Sequence, residues 1–595
     1  GGMIGIASRR SDAYVVLRGK DCEWLGDSRF ADLVDDISHL SNLYVSTDYT
    51  TFGLSYHLAL QASLIIAKPT SLADEATTQT PRLSDQLGAI PHPIETNSPL
   101  AQSYFNQGLT LIFGFNHEAA IEAFEEALRL DPNCGACHWG IALALGPNIN
   151  RPMGPTAAKR AHQEAQEAVR LTKEGSRDRA YAEALAPRYQ AEPTEDRSAL
   201  DLAYAESMRA LVQANPDDFD AAVLFAESLM DLTPWAYWTS EAKPREYTNE
   251  LIAALESVLD REPRHVGANH YYIHAVEEYF PERAEAAADR LATLAPEAGH
   301  LVHMPSHIYW RIGRYEDAAD INARASEADE KFFAWCRGGD FYRAAYYPHN
   351  VHFLWAAAAA EGRQDLALMT ARKLAAVTQG GLKEVPILQE FVAIPMLTMA
   401  RFGMWDALFA ETRPSDDDVY LAGIWQYTRG LAELRDGYSD YGRAARYRLG
   451  LIIDDPRSSE LILAGGTASA RALLEIAAAD LDAELALSGA SFDDAVSHLE
   501  RATALHDALP YMEPPPWYAP PRQALGAVLL DLGRAAEAEA VYLADLKQYP
   551  KNGWSLFGLA KSFELRGDDA KAEWARQGHA RAWARADVKL ERTRF

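Results

Sequence analysis

The chain has 595 residues, several times the usual domain size, so it either divides into domains or grows along one axis as a repeat array. Its composition, 48% hydrophobic, 10% aromatic and 24% charged, excludes a mainly disordered or collagen-like chain and leaves ample apolar material for a core. Acidic residues outnumber basic ones 85 to 57, and the resulting net charge of −28 repels phosphate backbones and anionic lipid, which argues against nucleic acid as a partner.

Residues 1 to 90 form an N-terminal segment without a repeat period. Its longest apolar run, Gly53 to Ala67, carries a His and two Ser. It falls short of the roughly 20 residues a membrane span needs, so it reads as a buried helix and not as a span or a secretory signal. The stretch Thr70 to Gln86 is rich in Thr, Ser and Pro and reads as a linker. A soluble, cytoplasmic protein is the expectation. The four cysteines, Cys22, Cys134, Cys137 and Cys336, are too few for a disulfide framework in so long a chain.

From about residue 91 to the C-terminus a period near 34 residues takes over. In the copy starting at Ala101, Tyr104, Gly108, Ala120, Phe124, Ala127 and Pro132 occupy positions 4, 8, 20, 24, 27 and 32. Near the C-terminus Leu525, Gly526, Ala538, Tyr542 and Pro550 occupy positions 7, 8, 20, 24 and 32 of another copy. Small residues at 8 and 20 let two helices approach, an aromatic ring fills the gap, and Pro ends the second helix. Further copies are readable at Gly299 to Ala325, Pro348 to Ala376 and Leu556 to Gln577. This spacing resembles the tetratricopeptide repeat. The resemblance implies an all-α, right-handed solenoid of about ten to twelve helical pairs, with positions 2, 5, 9, 12 and 13 of each first helix lining a concave groove that holds a peptide, a partner protein or a small polar ligand. Two loops break the rhythm, Leu232 to Tyr247 with Trp235 and Trp238, and the proline-rich Tyr511 to Gln523. Their Trp and Pro content suggests packed lids over the groove.

Histidine is the informative residue type. Eight of the 17 histidines lie between positions 265 and 352, where an even spread would place two or three. Anchoring one copy on Gly313 puts His300, His303 and His307 at positions 2, 5 and 9, with Trp310 and Arg311 at 12 and 13; anchoring the next on Gly362 puts His349 and His352 at positions 2 and 5. Packed helices lie about 8 to 10 Å apart, a gap that two imidazoles can bridge. In the preceding copy His270, His274 and Glu277 follow at i, i+4 and i+7 on one helical face. Pro305 suggests a helix starting near Met304, which would leave His300 and His303 on the entering loop.

Two readings stay open. In the first, the region from about 265 to 360 is a binding groove in which Trp310, Arg311, His270, His274, His300, Asn350, Trp235 and Trp238 contact a polar or acidic ligand. In the second, His303, His307, His349 and His352 ligate a divalent transition metal (zinc, copper or iron) and Glu277 serves as a catalytic base. Cys134, Cys137 and His138 spell the C-x-x-C-H string of haem attachment, but in a close-packed repeat without room for a porphyrin. Ser306 lacks a nucleophile elbow, and no phosphate loop or dinucleotide fingerprint is found. Exposed terminal helices leave homo-oligomerisation open.

Overall fold

A computed structural model describes residues 3–7, 14–18, 81–88, 91–334 and 340–594. Strands β1 (Met3–Ala7) and β2 (Tyr14–Arg18) pair antiparallel. The helix expected over 53–67 lies outside the described residues. The end of the expected linker is docked: Leu87 is buried, Gln107 Nε2 donates to Arg82 O, and the Glu297 backbone N–H donates to Gln86 O.

The rest is helical and forms twelve successive pairs. These begin with α1 (Pro99–Phe113) against α2 (His117–Leu130), α3 (Gly135–Leu145) against α4 (Pro155–Leu171), α5 (Arg177–Leu185) against α6 (Ser198–Ala214), α7 (Phe219–Leu232) against α8 (Thr248–Arg261), and α9 (Val266–Val276) against α10 (Glu285–Leu291). In the sixth pair the first helix comes in two pieces, α11 (Gly299–His303) and α12 (Pro305–Arg311), against α13 (Tyr315–Phe333). Next come α14 (Asp340–Ala360) against α15 (Gln364–Thr378), α16 (Gln389–Arg401) against α17 (Trp405–Ala410), and α18 (Val419–Arg435) against α19 (Ser439–Asp454). A short α20 (Pro456–Glu460) and the two-residue strands β3 (Ile462–Leu463) and β4 (Ala468–Ser469) intervene. The array ends with α21 (Ala470–Ser488) against α22 (Phe492–Asp507), α23 (Pro521–Asp531) against α24 (Ala535–Gln548), and α25 (Gly553–Leu565) against α26 (Asp569–Ala582).

The repeat chemistry explains these contacts. Phe124 of α2 is wedged between Gly108 of α1 and Gly140 of α3, and a Cβ on either glycine would come within 2.6 Å of its ring. Thirty-two residues separate those glycines, as they do Gly526 and Gly558, which clasp Tyr542 in the same way. Each aromatic wedge thus bonds its own pair to the next, and the apolar core runs on from pair to pair.

The array also folds back on itself. Gly313, in the left-handed region at φ 74°, closes the turn between α12 and α13 and lies directly against the Pro550 carbonyl. Trp554 Nε1 donates to Ala359 O, the Asp587 N–H donates to Gly362 O, and Arg585 pairs with Asp320. On the other side Phe113 of α1 packs on Gly267 of α9. These contacts, together with the loop after α22, narrow the expected open groove to a small chamber. Helix α14 stands at its wall, with Leu354 and Ala357 in one apolar cluster and Val351, Phe353 and Trp355 in another. No helix among the described residues is long and apolar enough to cross a membrane.

Candidate metal centre

Helices α9, α11, α12 and α14 deliver the histidines. Contrary to the expectation raised by Pro305, His300 and His303 are helical: α11 runs into α12 through Met304, whose dihedrals (φ −51°, ψ −36°) remain α-helical. Pro305 follows with no N–H to continue the hydrogen-bond ladder, and there the helix divides into its two pieces. His300, His303 and His307 therefore share one face, aimed at the chamber. Gly299 lets α11 sit against the Asp329 carboxylate, which any Cβ would strike.

Hydrogen bonds fix which nitrogen each ring presents. Asn322 Nδ2 donates to Ala318 O, so its Oδ1 accepts from His303 Nδ1 at 2.6 Å. His307 Nδ1 lies 3.0 Å from Glu513 Oε2 and 3.2 Å from Glu277 Oε2. With Nδ1 engaged on both rings, the two Nε2 atoms face each other at 3.0 Å. Two lone pairs at that distance need a cation between them, either a proton or a metal ion. The ring of His349 lies 4.8 Å from that of His303 and 5.6 Å from that of His307, and ligating atoms of all three fall within 4.8 Å of one another. His352, read from the sequence as a fourth ligand, lines the chamber but is not one of this group, and its ring stacks on Trp355 at 5.3 Å.

Electrostatics separates the rings. Burial, and for all but His352 the neighbouring imidazoles, hold His270, His274, His300, His303 and His349 well below the usual range and His352 near 3, which keeps them in the neutral form that binds metals. His307 is instead raised, because the Glu277 and Glu513 carboxylates outweigh its burial. Glu277 is pushed up to about 7 by burial, and burial raises Glu513 as well.

The other residues singled out in the sequence divide clearly. Trp235 lines the chamber, edge-on to His274 at 5.0 Å, with Nε1 donating to Asn150 Oδ1. Arg311, expected to face a ligand, is spent inside the chain: it donates to the carbonyls of Glu277 and Glu278 and stands 3.5 Å from Glu513. Trp310 is buried against Tyr315, Phe353 and Tyr549. Trp238 donates to Ala275 O beneath the chamber, and Asn350 donates to Asp329 Oδ2. Cys134 and Cys137 form a disulfide at the start of α3, and His138 pairs with Glu164, so the C-x-x-C-H string serves local structure.

The main residue that sequence reasoning missed is Glu513, 206 positions from its partner His307. Its only signal was a carboxylate in the loop already read as a lid. Asn150, Tyr346, Ile387, Glu390 and Phe391 also line the chamber and carried no motif. The cavity measures about 140 Å³. The imidazoles stand on one side, and the rest is mainly apolar, from Trp235, Tyr346, Ile387, Phe391, Met512 and Pro514.

Helical pairs locked by small residues and aromatic wedges define a helical-repeat scaffold. Residues 101–134 match the tetratricopeptide repeat family model, and the pairs that follow this segment repeat its helix-against-helix packing. No curated protein matches it. Among solved structures, a human IFIT1 dimer with PPP-AAAA aligns over 90% of this chain and 96% of that one, at 10% identity and a TM-score of 0.28. The APC/C hetero-tetramer Cut9-Hcn1 aligns over 83% and 76%, at 11% identity and a TM-score of 0.26. Nothing about the chamber follows from likeness at this level.

Proposed function

We propose that this protein holds a transition-metal ion on His303, His307 and His349 and receives a small, largely apolar molecule in the adjoining cavity. The observation that carries this reading is the meeting of the His303 and His307 Nε2 atoms at 3.0 Å, with Nδ1 on each ring held by Asn322 and by Glu513. Metal–imidazole bonds of about 2.0 to 2.1 Å place neighbouring ligand atoms about 2.9 Å apart in an octahedron and about 3.4 Å apart in a tetrahedron. A separation of 3.0 Å lies between these. Second-shell acceptors on the opposite nitrogens are the usual accompaniment of metal-bound histidine. Imidazole donors suit zinc, copper or iron and disfavour magnesium or calcium.

The size of the chamber supports a small ligand. An engineered apolar cavity of about 150 Å³ holds one benzene ring, and 140 Å³ suits a single ring or a molecule of that bulk better than an extended peptide. Glu277 and Glu513, beside His307, are the groups able to take or return a proton at the metal side. Elemental mass spectrometry on the purified chain, with and without His303→Ala/His349→Ala, tests the reading. About one or more equivalents of metal, reduced in the folded double variant, supports it. A wild-type chain that takes up no zinc, copper or iron on reconstitution refutes it.

A further inference from the structure

Beside His303, His307 and His349 lies another group of three imidazoles, on α9 and α11. We infer that His270, His274 and His300 form a second metal site, coupled to the first through Glu277. This rests on the metal reading above.

The tautomers at the second group are again set from behind. Phe113 O can only accept, so His270 Nδ1, 2.6 Å away, is the protonated nitrogen and Nε2 carries the lone pair. His274 Nδ1 faces Glu277 Oε1 at 3.3 Å, which leaves its Nε2 as the donor atom toward a metal. That Nε2 is buried and has no hydrogen-bond partner among the described residues, and the same holds for His300 Nδ1. A buried polar atom left without a partner costs about 1 to 3 kcal/mol, so the unpartnered lone pair of His274 Nε2 marks a place built for something other than packing. His300 Nε2 stands 3.2 Å from His270 Nε2, again the separation of adjacent ligands on one ion. Ligating atoms of all three residues lie within 4.8 Å of one another. The ring of Phe115 braces the group, 4.7 Å from His270, 5.9 Å from His274 and 5.5 Å from His300.

Glu277 joins the two sites. Its Oε1 faces His274 Nδ1, and its Oε2 faces His307 Nδ1 at 3.2 Å. One carboxylate therefore lies against an imidazole of each triad, hydrogen-bonded to His274 and at ion-pair distance from His307, and the rings of His300 and His303 lie parallel within 28° at 5.9 Å. Three imidazole ligands per ion point to zinc or copper at both positions.

The test is stoichiometric. The full-length chain is stripped of metal and reconstituted with zinc alone, then with copper alone. Bound metal per chain is measured by elemental mass spectrometry for wild type, His270→Ala, His349→Ala and the double variant, with circular dichroism confirming that each is folded. His274→Gln replaces His270→Ala if the latter does not fold. Two equivalents in wild type, one in each single variant and none in the double variant are expected. One equivalent in wild type, lost in His349→Ala and kept in His270→Ala, overturns the second site and leaves the first standing. One equivalent lost only in His270→Ala overturns the first reading, and no metal in wild type overturns both.

Discussion

The first and sixth helical pairs use the same positions for opposite purposes. At positions 5, 9 and 12 of its first helix, the first pair carries Phe105, Leu109 and Ile112, all buried in the apolar core. The sixth carries His303, His307 and Trp310 there, equally buried. The framework is set elsewhere, by small residues and aromatic wedges, so the inner face is free to vary. Burying imidazoles costs far more than burying Phe and Leu unless each is partnered, and a protein that keeps several of them together pays for that with function.

Breaking the framework should produce the largest effect. Phe124→Ala removes a fully buried ring clasped by two glycines and should cost about 3 to 5 kcal/mol. Urea unfolding should show this while metal bound per folded chain stays unchanged. A loss of metal in the folded variant would mean that framework and chamber are not separable.

Glu390 supplies the next effect, on the chamber's apolar side. It is buried, accepts from the Ala464 N–H at 2.7 Å, and is pushed up by burial to about 7. Below pH about 4.5 both states are protonated and its ionisation contributes nothing. Between 4.5 and 7 the unfolded chain releases the proton that the folded chain keeps, so stability falls as pH rises, by about 3 kcal/mol in all. Glu390→Gln should flatten that part of the pH profile in urea titrations; an unaltered slope would show that Glu390 ionises as freely folded as unfolded.

The same contrast explains how much could be read in advance. Gly108, Phe124, Gly526 and Tyr542 recur at a fixed spacing because a local packing problem repeats, so the helical pairs were readable from sequence. The stripe of His300, His303 and His307 was readable in part: the repeat register put all three on one helical face, while Pro305 argued that the first two stood on the entering loop. The convergence of Glu513 on His307 was not, because it depends on how the array curls and where a proline-rich loop lands. The fate of Arg311 was hidden for a like reason: the carbonyls of Glu277 and Glu278 that absorb it lie just beyond the end of α9, in the neighbouring pair.

Within the chamber, Glu513→Gln keeps the size of the side chain and removes the charge facing His307 and Arg311. Metal affinity should fall about 10- to 100-fold, the usual consequence of losing a second-shell partner. Competition with a chromophoric chelator would measure it, and an unchanged affinity would place His307 outside the coordination sphere.

The smallest expected effect is at Asn322, whose amide holds His303 from behind and anchors itself to Ala318 O. In the first pair the corresponding position 24 is Phe124, which only fills space; here the residue sets a tautomer. Asn322→Leu keeps similar bulk but offers no acceptor, so His303 Nδ1 loses the partner that directs its Nε2 lone pair at His307. Metal affinity should drop about tenfold. Asn322→Asp restores an acceptor and should recover most of the affinity, which simple repacking would not do. If both variants bind metal equally well, the position acts through packing alone, and the sixth pair then resembles the first more closely than its histidines imply.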